Sequence, residues 1–404
     1  MEILIKGARL VDSEMDTIGD VLLRNGKIAE IGENLVCDCR TIDAKGSCVM
    51  PAFVDLHAHF RDPGYTWKED FVTGSLAAMK GGFTFVNLMG NTSPICSDME
   101  IVEYVLMRAE ELELAEVHQC VSITKNFDGK DISHLDSLNG KVKMITDDGK
   151  GVESSLVMYK AMEKAKEKGL IVMSHAEDEL ITPIDYRLSE NLETVRNIYL
   201  ALHTGARLHL THVSTKEAIE EIARGKAKGD NITCDVTPHH IALWDNPYRV
   251  NPPIRSKEDV DALIENIKSG VVDAIATDHA PHTMEDKEKG SPGLSGLETA
   301  FSVAYTTLVE ERGLDIKLVS RLMSGRPAEI MGLNKGRLKA GYDADIVIAN
   351  LDKEITVDPE EFVSKGKNTP FDGYKFKGDV LITIKDGDIK YLNRRNEEVL
   401  NIGN

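Results

Sequence analysis

Residues 53 to 64, FVDLHAHFRDPG, end an apolar run in two histidines one residue apart and follow them with an arginine. Side chains of a strand alternate, so His57 and His59 point to one side and both imidazoles can reach one ion. A lone core histidine is usually satisfied packing, whereas such a pair at a strand end marks a metal site. Other apolar runs end in kind: LIVMSHAE in His175, RLHLTHVS in His212 and VDAIATDHA in Asp278. Imidazole and carboxylate donors converging from separate runs suit zinc best, with manganese or cobalt as alternatives. Arg61, two residues after His59, adds a planar fork that binds a carboxylate on two prongs, where lysine offers a point charge. The chemistry implied is metal-assisted attack on a small anionic substrate.

The elements that must position these residues alternate. Eight runs read as strands: SCVMPAFVDLHAH, FTFVNLMG, VHQCVSIT, KVKMIT, LIVMSHAE, RLHLTHVS, NITCDVTP and VDAIATDHA. Helical patterns such as MEIVEYVLMRAEELEL, ESSLVMYKAMEKAKEKG, TKEAIEEIARGKAKG and KEDVDALIENIKSG lie between them. This rhythm predicts an α/β fold, a TIM-type (β/α)8 barrel over residues 49–338, with chemistry at the C-terminal ends of its strands. The two chain ends, 1–48 and 339–404, are instead short strands with turn punctuation, Asn25-Gly26 being a hairpin signal. They are expected to join as one small β-sandwich-like domain.

Composition narrows the partners. The chain has 404 residues, 28% of them charged, and a net charge of −19, which argues against nucleic acid or an anionic membrane face. With no apolar run long enough to span a bilayer and no basic, apolar leader, a cytoplasmic protein is expected. Cys37, Cys39, Cys48, Cys96, Cys120 and Cys234 are too sparse for a stapled secreted fold and are expected as free thiols. By strand alternation His209 should face the helical layer, His239 and His240 should face opposite ways, either supporting the ligands or purely structural, and His279 should oppose Asp278.

Taken together, DLHAHFRDPG, TDDGKGV, THVST, NPPIR, ATDHAPH and KNTPFDG resemble, in order, the class I dihydroorotases of the amidohydrolase superfamily. GYDADIVI is similar to that superfamily's return strand. The resemblance implies one or two zinc ions held by His57, His59, His175, His212 and Asp278, with a further group bridging two ions. Asp148 of TDDG is preferred for it (175 − 148 = 27), with Lys143 the alternative (175 − 143 = 32). It further implies substrate binding by Arg61, Asn91, Asn251 and His282, and acid/base work by Asp278. The family's M-P-N-T is here Met89-Gly90-Asn91-Thr92. Gly293, in the charged loop 282–296, is a candidate backbone contact, and that loop reads equally as a lid or as solvated chain. The implied reaction is reversible closure of N-carbamoyl-L-aspartate to dihydroorotate, in a homo-oligomer associated with aspartate carbamoyltransferase. Hydantoinase, dihydropyrimidinase and allantoinase are rival activities, and a dead scaffold on the same barrel is a rival of another kind.

Overall fold

The computed structural model describes residues 2–393 and 401–402; residues 1, 394–400 and 403–404, part of the expected end domain, lie outside them. The eight barrel strands are Phe53–Ala58, Phe83–Leu88, Glu116–Gln119, Met144–Ile145, Ile171–Ser174, Arg207–Leu210, Ile232–Val236 and Ala274–Ile275. The first three pair in parallel, as do the last five. Single parallel bridges, Val121 to Ile145 and Ala58 to His279, join the two groups and close the barrel. The run SCVMPAFVDLHAH divides at Ala52. Cys48–Pro51 pairs with Ile346–Thr356 and with the N-terminal strand, and only Phe53–Ala58 enters the barrel.

Alternation sorts the barrel side chains. Val54, Leu56, Phe85, Met144, Ile171, Met173 and Ala274 fill the interior. Val172, Leu208, Leu210, Cys234 and Val236 face the surrounding helices. Helix starts follow the caps: Asp98, Ser154, Thr215 and Ser256 each accept a hydrogen bond from a backbone N–H in the first turn. A short helix, Arg326–Met331, stoppers the N-terminal mouth, sending Ala328, Ile330 and Met331 into the inner core. Its last carbonyls are capped by cations, Lys143 Nζ donating to Met331 O at 2.6 Å and Arg207 Nη2 to Ile330 O at 3.0 Å.

Both chain ends contribute to one nine-stranded sheet, in which Glu2–Val11, Asp16–Arg24, Lys27–Gly32 and Cys48–Pro51 are continuous with Ile346–Thr356, Lys375–Lys385 and Asp388–Leu392. It bends around a core of its own, including Ile3, Ile5, Leu10, Val21, Ile42, Ile346, Ile348 and Leu381. Asn25 and Gly26 both take positive φ, as the tight hairpin there requires. Cys37 and Cys39 correct the free-thiol expectation: the turn brings their Cα atoms to 5.3 Å and they form a disulfide. The remaining four cysteines are free and buried. No helix among the described residues is long and apolar enough to cross a membrane.

Candidate metal centre and substrate cleft

Of the residues proposed from the sequence as metal ligands or substrate contacts, all but His57 and the alternative bridge Lys143 line one cleft of about 210 Å³ at the C-terminal rim of the barrel. His57 lies beneath its floor, and two donor triads share it: His57, Asp148 and His212, and His57, His59 and Asp278. His57 Nε2 is 3.3 Å from Asp148 Oδ1 and 3.5 Å from Asp278 Oδ1. His59 Nε2 is 3.3 Å from Asp278 Oδ1 and 3.5 Å from Asp148 Oδ2. His175 Nδ1 lies 2.8 Å from His212 Nε2 and 3.5 Å from Asp148 Oδ1. All six side chains are buried, and His57 Nε2 is a buried polar atom without a hydrogen-bond partner. An orphaned nitrogen aimed at two carboxylates, with three more imidazoles around it, fits a divalent cation of the zinc type.

The electrostatics agree. Burial opposes ionisation of Asp148 and Asp278, yet the surrounding histidines, His57 first among them, hold both carboxyls below their ordinary range. Burial likewise opposes charging His57, but Asp148 and Asp278 override it and raise that imidazole to about 9. His175 is raised to about 10 by Asp148 and Glu177 against the same burial cost. The cluster draws positive charge inward.

Outside the donors, a layer of polar groups fixes each ring. His57 Nδ1 meets Thr211 Oγ1 at 2.8 Å, and that hydroxyl donates to Asp235 Oδ2 at 2.9 Å. Asn91 Oδ1 meets His59 Nδ1 at 2.9 Å. Glu177 Oε2 meets His175 Nε2 at 2.7 Å and also accepts from Asn251 Nδ2 at 2.8 Å. Such partners set which ring nitrogen is free to ligate. Glu177, Thr211 and Asp235 were not legible as site residues, being polar residues with no spacing signal of their own. Asn91 and Asn251 line the cleft as expected while also orienting His59 and, through Glu177, His175.

Several expectations need correction. His209 faces the barrel interior, Nε2 being 2.8 Å from Asp235 Oδ2 and Nδ1 2.8 Å from Thr233 Oγ1. The count of alternation from His212 fails because His212 leaves the strand with φ 40°. His239 and His240 lie on a short helix, Pro238–Ala242, where His240 joins Thr237 to the Pro252 carbonyl. Lys143 is engaged at the opposite end of the barrel, as its bond to Met331 shows. Gly293 has its N–H on Arg249 O and its carbonyl accepting from Lys287 and Asn368, so its backbone is already occupied. What it contributes is the absence of a side chain: at φ 126° a Cβ would lie 2.7 Å from that of Ala280. His279, by contrast, lies as expected, turned away from Asp278 toward Glu69, at 3.3 Å.

The side of the cleft that carries Arg61 is basic. Arg61 Nη2 lies 3.2 Å from His282 Nε2, and Lys68 Nζ 3.4 Å from His282 Nδ1. Burial, with Arg61 and Lys68 nearby, lowers His282 to about 3, leaving it neutral. The loop 282–296 is tied down: Thr283 and Asp286 form a capping box, and Asn368 of KNTPFDG donates to the Ala280 and Gly293 carbonyls. Lys287 Nζ donates to three backbone carbonyls, those of Arg249, Ser291 and Gly293.

Comparison with known proteins adds the family. Residues 48–390 match the amidohydrolase family. The chain is 52% identical to a dihydroorotase of Clostridium botulinum over 97% of this chain and 100% of that one. It is 40% identical to a dihydroorotase of Caldanaerobacter subterraneus, covering 100% of both. Among solved structures, an L-hydantoinase (dihydropyrimidinase) from Arthrobacter aurescens superposes with a TM-score of 0.88 at 27% identity, over 96% of this chain and 95% of that one. Barrel, rim and sequence agree: the chain belongs to the amidohydrolase family and, within it, to the dihydroorotases.

Proposed function

We propose that this protein catalyses the reversible closure of N-carbamoyl-L-aspartate to L-dihydroorotate in de novo pyrimidine (UMP) synthesis. His57, His59, Asp148, His175, His212 and Asp278 would hold zinc, as one or two ions. The observation that carries the substrate reading is the Arg61 guanidinium in the same cleft as the histidine and aspartate cluster. A zinc ion in such a donor set supplies Lewis acidity, acidifying water and polarising a carbonyl.

The chain's own residues supply the rest. Arg61 takes the ring carboxylate on two prongs, and neutral His282 holds the guanidinium flat against the cleft wall. Asn91, beside His59, and Asn251, beside Glu177, would contact the ring. In ring opening, Asp278 accepts a proton from the attacking water and returns it to the ring nitrogen as the C–N bond breaks. In closure the same carboxylate takes the proton of the attacking carbamoyl nitrogen and gives it to the departing hydroxyl, which leaves as water. Because the neighbouring imidazoles keep Asp278 ionised, it starts ring opening in the form that accepts. Gly293 leaves room for the ring beneath the tethered loop. Association with an aspartate carbamoyltransferase rests on the family resemblance and is tested by co-purification from the native extract.

The test is ring opening of L-dihydroorotate by the zinc-loaded protein, with dihydrouracil and allantoin in parallel and a chelated sample as control. Metal-dependent turnover of dihydroorotate alone is expected. Turnover of another ring instead would retain the metal chemistry and remove the substrate assignment.

A further inference from the structure

Below the cleft, Asp235 on the strand Ile232–Val236 is wholly buried and gathers three donors from the neighbouring run RLHLTH. Its Oδ2 accepts from His209 Nε2 at 2.8 Å and from Thr211 Oγ1 at 2.9 Å, and its Oδ1 accepts from the His212 N–H at 2.6 Å. A carboxylate only accepts, and a hydroxyl has one proton to give. Thr211 commits its proton to Asp235, so toward His57 Nδ1, 2.8 Å away, its oxygen can only accept. His57 therefore keeps a hydrogen on Nδ1. Its Nε2, the buried atom without a hydrogen-bond partner that faces Asp148 and Asp278, is the nitrogen left to ligate. The Oδ1 bond acts on the backbone instead. His212 leaves its strand at φ 40°, a conformation that a non-glycine residue rarely holds. The charge-assisted bond to its N–H secures that turn and with it the ring, whose Nε2 lies 3.6 Å from Asp148 Oδ1.

Given zinc in the cluster, as the proposed function has it, we infer that Asp235 is the positioning residue of the metal centre. One carboxylate outside the cleft selects the ligating nitrogen of His57 through Thr211 and fixes the approach of His212. His57 belongs to both donor triads, so the effect reaches every ion the cluster holds, and His212 makes it strongest in the triad with Asp148. The isosteric amide gives the sharpest contrast. In Asp235→Asn the side-chain oxygen still accepts from His212, but an N–H now faces Thr211 and turns the hydroxyl toward His57 Nδ1. The imidazole then holds its proton on Nε2, where the ion should bind.

The test is the zinc affinity of the intact protein, stripped of metal and titrated against a chromophoric chelator, for the wild type, Asp235→Asn, Thr211→Val and Thr211→Ser. Asp235→Asn and Thr211→Val are expected to bind zinc about 10–100-fold more weakly, with the urea midpoint of the metal-free protein little changed. Thr211→Ser, which keeps the hydroxyl, is expected to bind as the wild type does. Because Thr211→Val changes no charge, its loss reports the direction of the proton and not the field of the carboxylate. Wild-type affinity in Asp235→Asn or Thr211→Val overturns the inference, as does a serine variant as weak as the valine one. Should Asp235→Asn fail to fold, the two Thr211 variants decide the matter. A wild type that takes up no zinc is a different result, since it removes the metal centre itself.

Discussion

At the N-terminal mouth of the barrel the cations have acceptors of their own. Lys335 Nζ lies 2.6 Å from Asp345 and 3.2 Å from Glu116, Lys226 Nζ lies 2.6 Å from Asp273, and Lys143 and Arg207 cap the carbonyls of the stopper helix. At the C-terminal rim two carboxylates face four imidazoles, buried His57 Nε2 has no hydrogen-bond partner, and Arg61 is held by neutral acceptors, the Pro281 carbonyl and His282. Charge that is matched locally contributes to stability. Charge left in surplus remains available to a ligand, which is why the two ends of one set of strands carry different duties.

Substitutions at the two ends should therefore separate cleanly. The largest effect is expected from Asp278→Asn at the rim: kcat for ring opening falls by about 10²–10⁴-fold while the urea midpoint barely moves. A comparable loss of stability would merge the two ends. At the mouth, Lys335→Met should do the reverse. It strands buried Asp345, lowering unfolding free energy by roughly 3–5 kcal/mol in urea titration with kcat intact. Arg61→Lys is expected to raise KM for dihydroorotate about 10–100-fold, since the fork becomes a point charge. An equal change toward dihydrouracil would remove the carboxylate role.

Glu193 tests the contrast through pH. Burial outweighs Arg196 and Asn197 and raises this carboxyl to about 7 from an ordinary 4.5. The folded chain thus keeps a proton that the unfolded chain releases between those values, and stability falls as pH rises from about 4.5 to 7. Glu193→Gln should stabilise by ~1–3 kcal/mol at pH 8 and by nothing below pH 4.5, read by thermal melts at the two pH values. The smallest effect belongs to Lys143→Met, which removes a helix-end cap worth ~0.3–1 kcal/mol. Metal content measured by atomic absorption should not change; a loss of metal would return Lys143 to the rim.

The strand ends were legible because period-two alternation and apolar length survive in the sequence without any tertiary information. His57, His59, His175 and Asp278 sit where that pattern put them. What escaped did so where local backbone breaks the pattern. His212 adopts a positive φ, and counting through it turned His209 the wrong way. Glu177 and Asp235 gain their roles only from partners, His175 two residues away and His209 on a neighbouring strand, that spacing does not announce. The division at Ala52 is equally silent, because Cys48–Pro51 and Phe53–Ala58 are both wholly buried and read as one run.

The helix Tyr186–Thr204 buries polar side chains, Ser189, Glu190, Glu193, Thr194 and Asn197, beside Ile198 and Ala201. Its polar face is the back wall of the site: Glu190 accepts from the Ser214 N–H at 2.8 Å and from Arg255 at 2.9 Å, and Asn197 donates to Ser174, the residue before His175, at 2.8 Å. The helix is thus a rod whose inner side steadies two of the histidine strands, and loosening it, as Asn197→Ala would, is expected to lower turnover without touching any residue of the cleft.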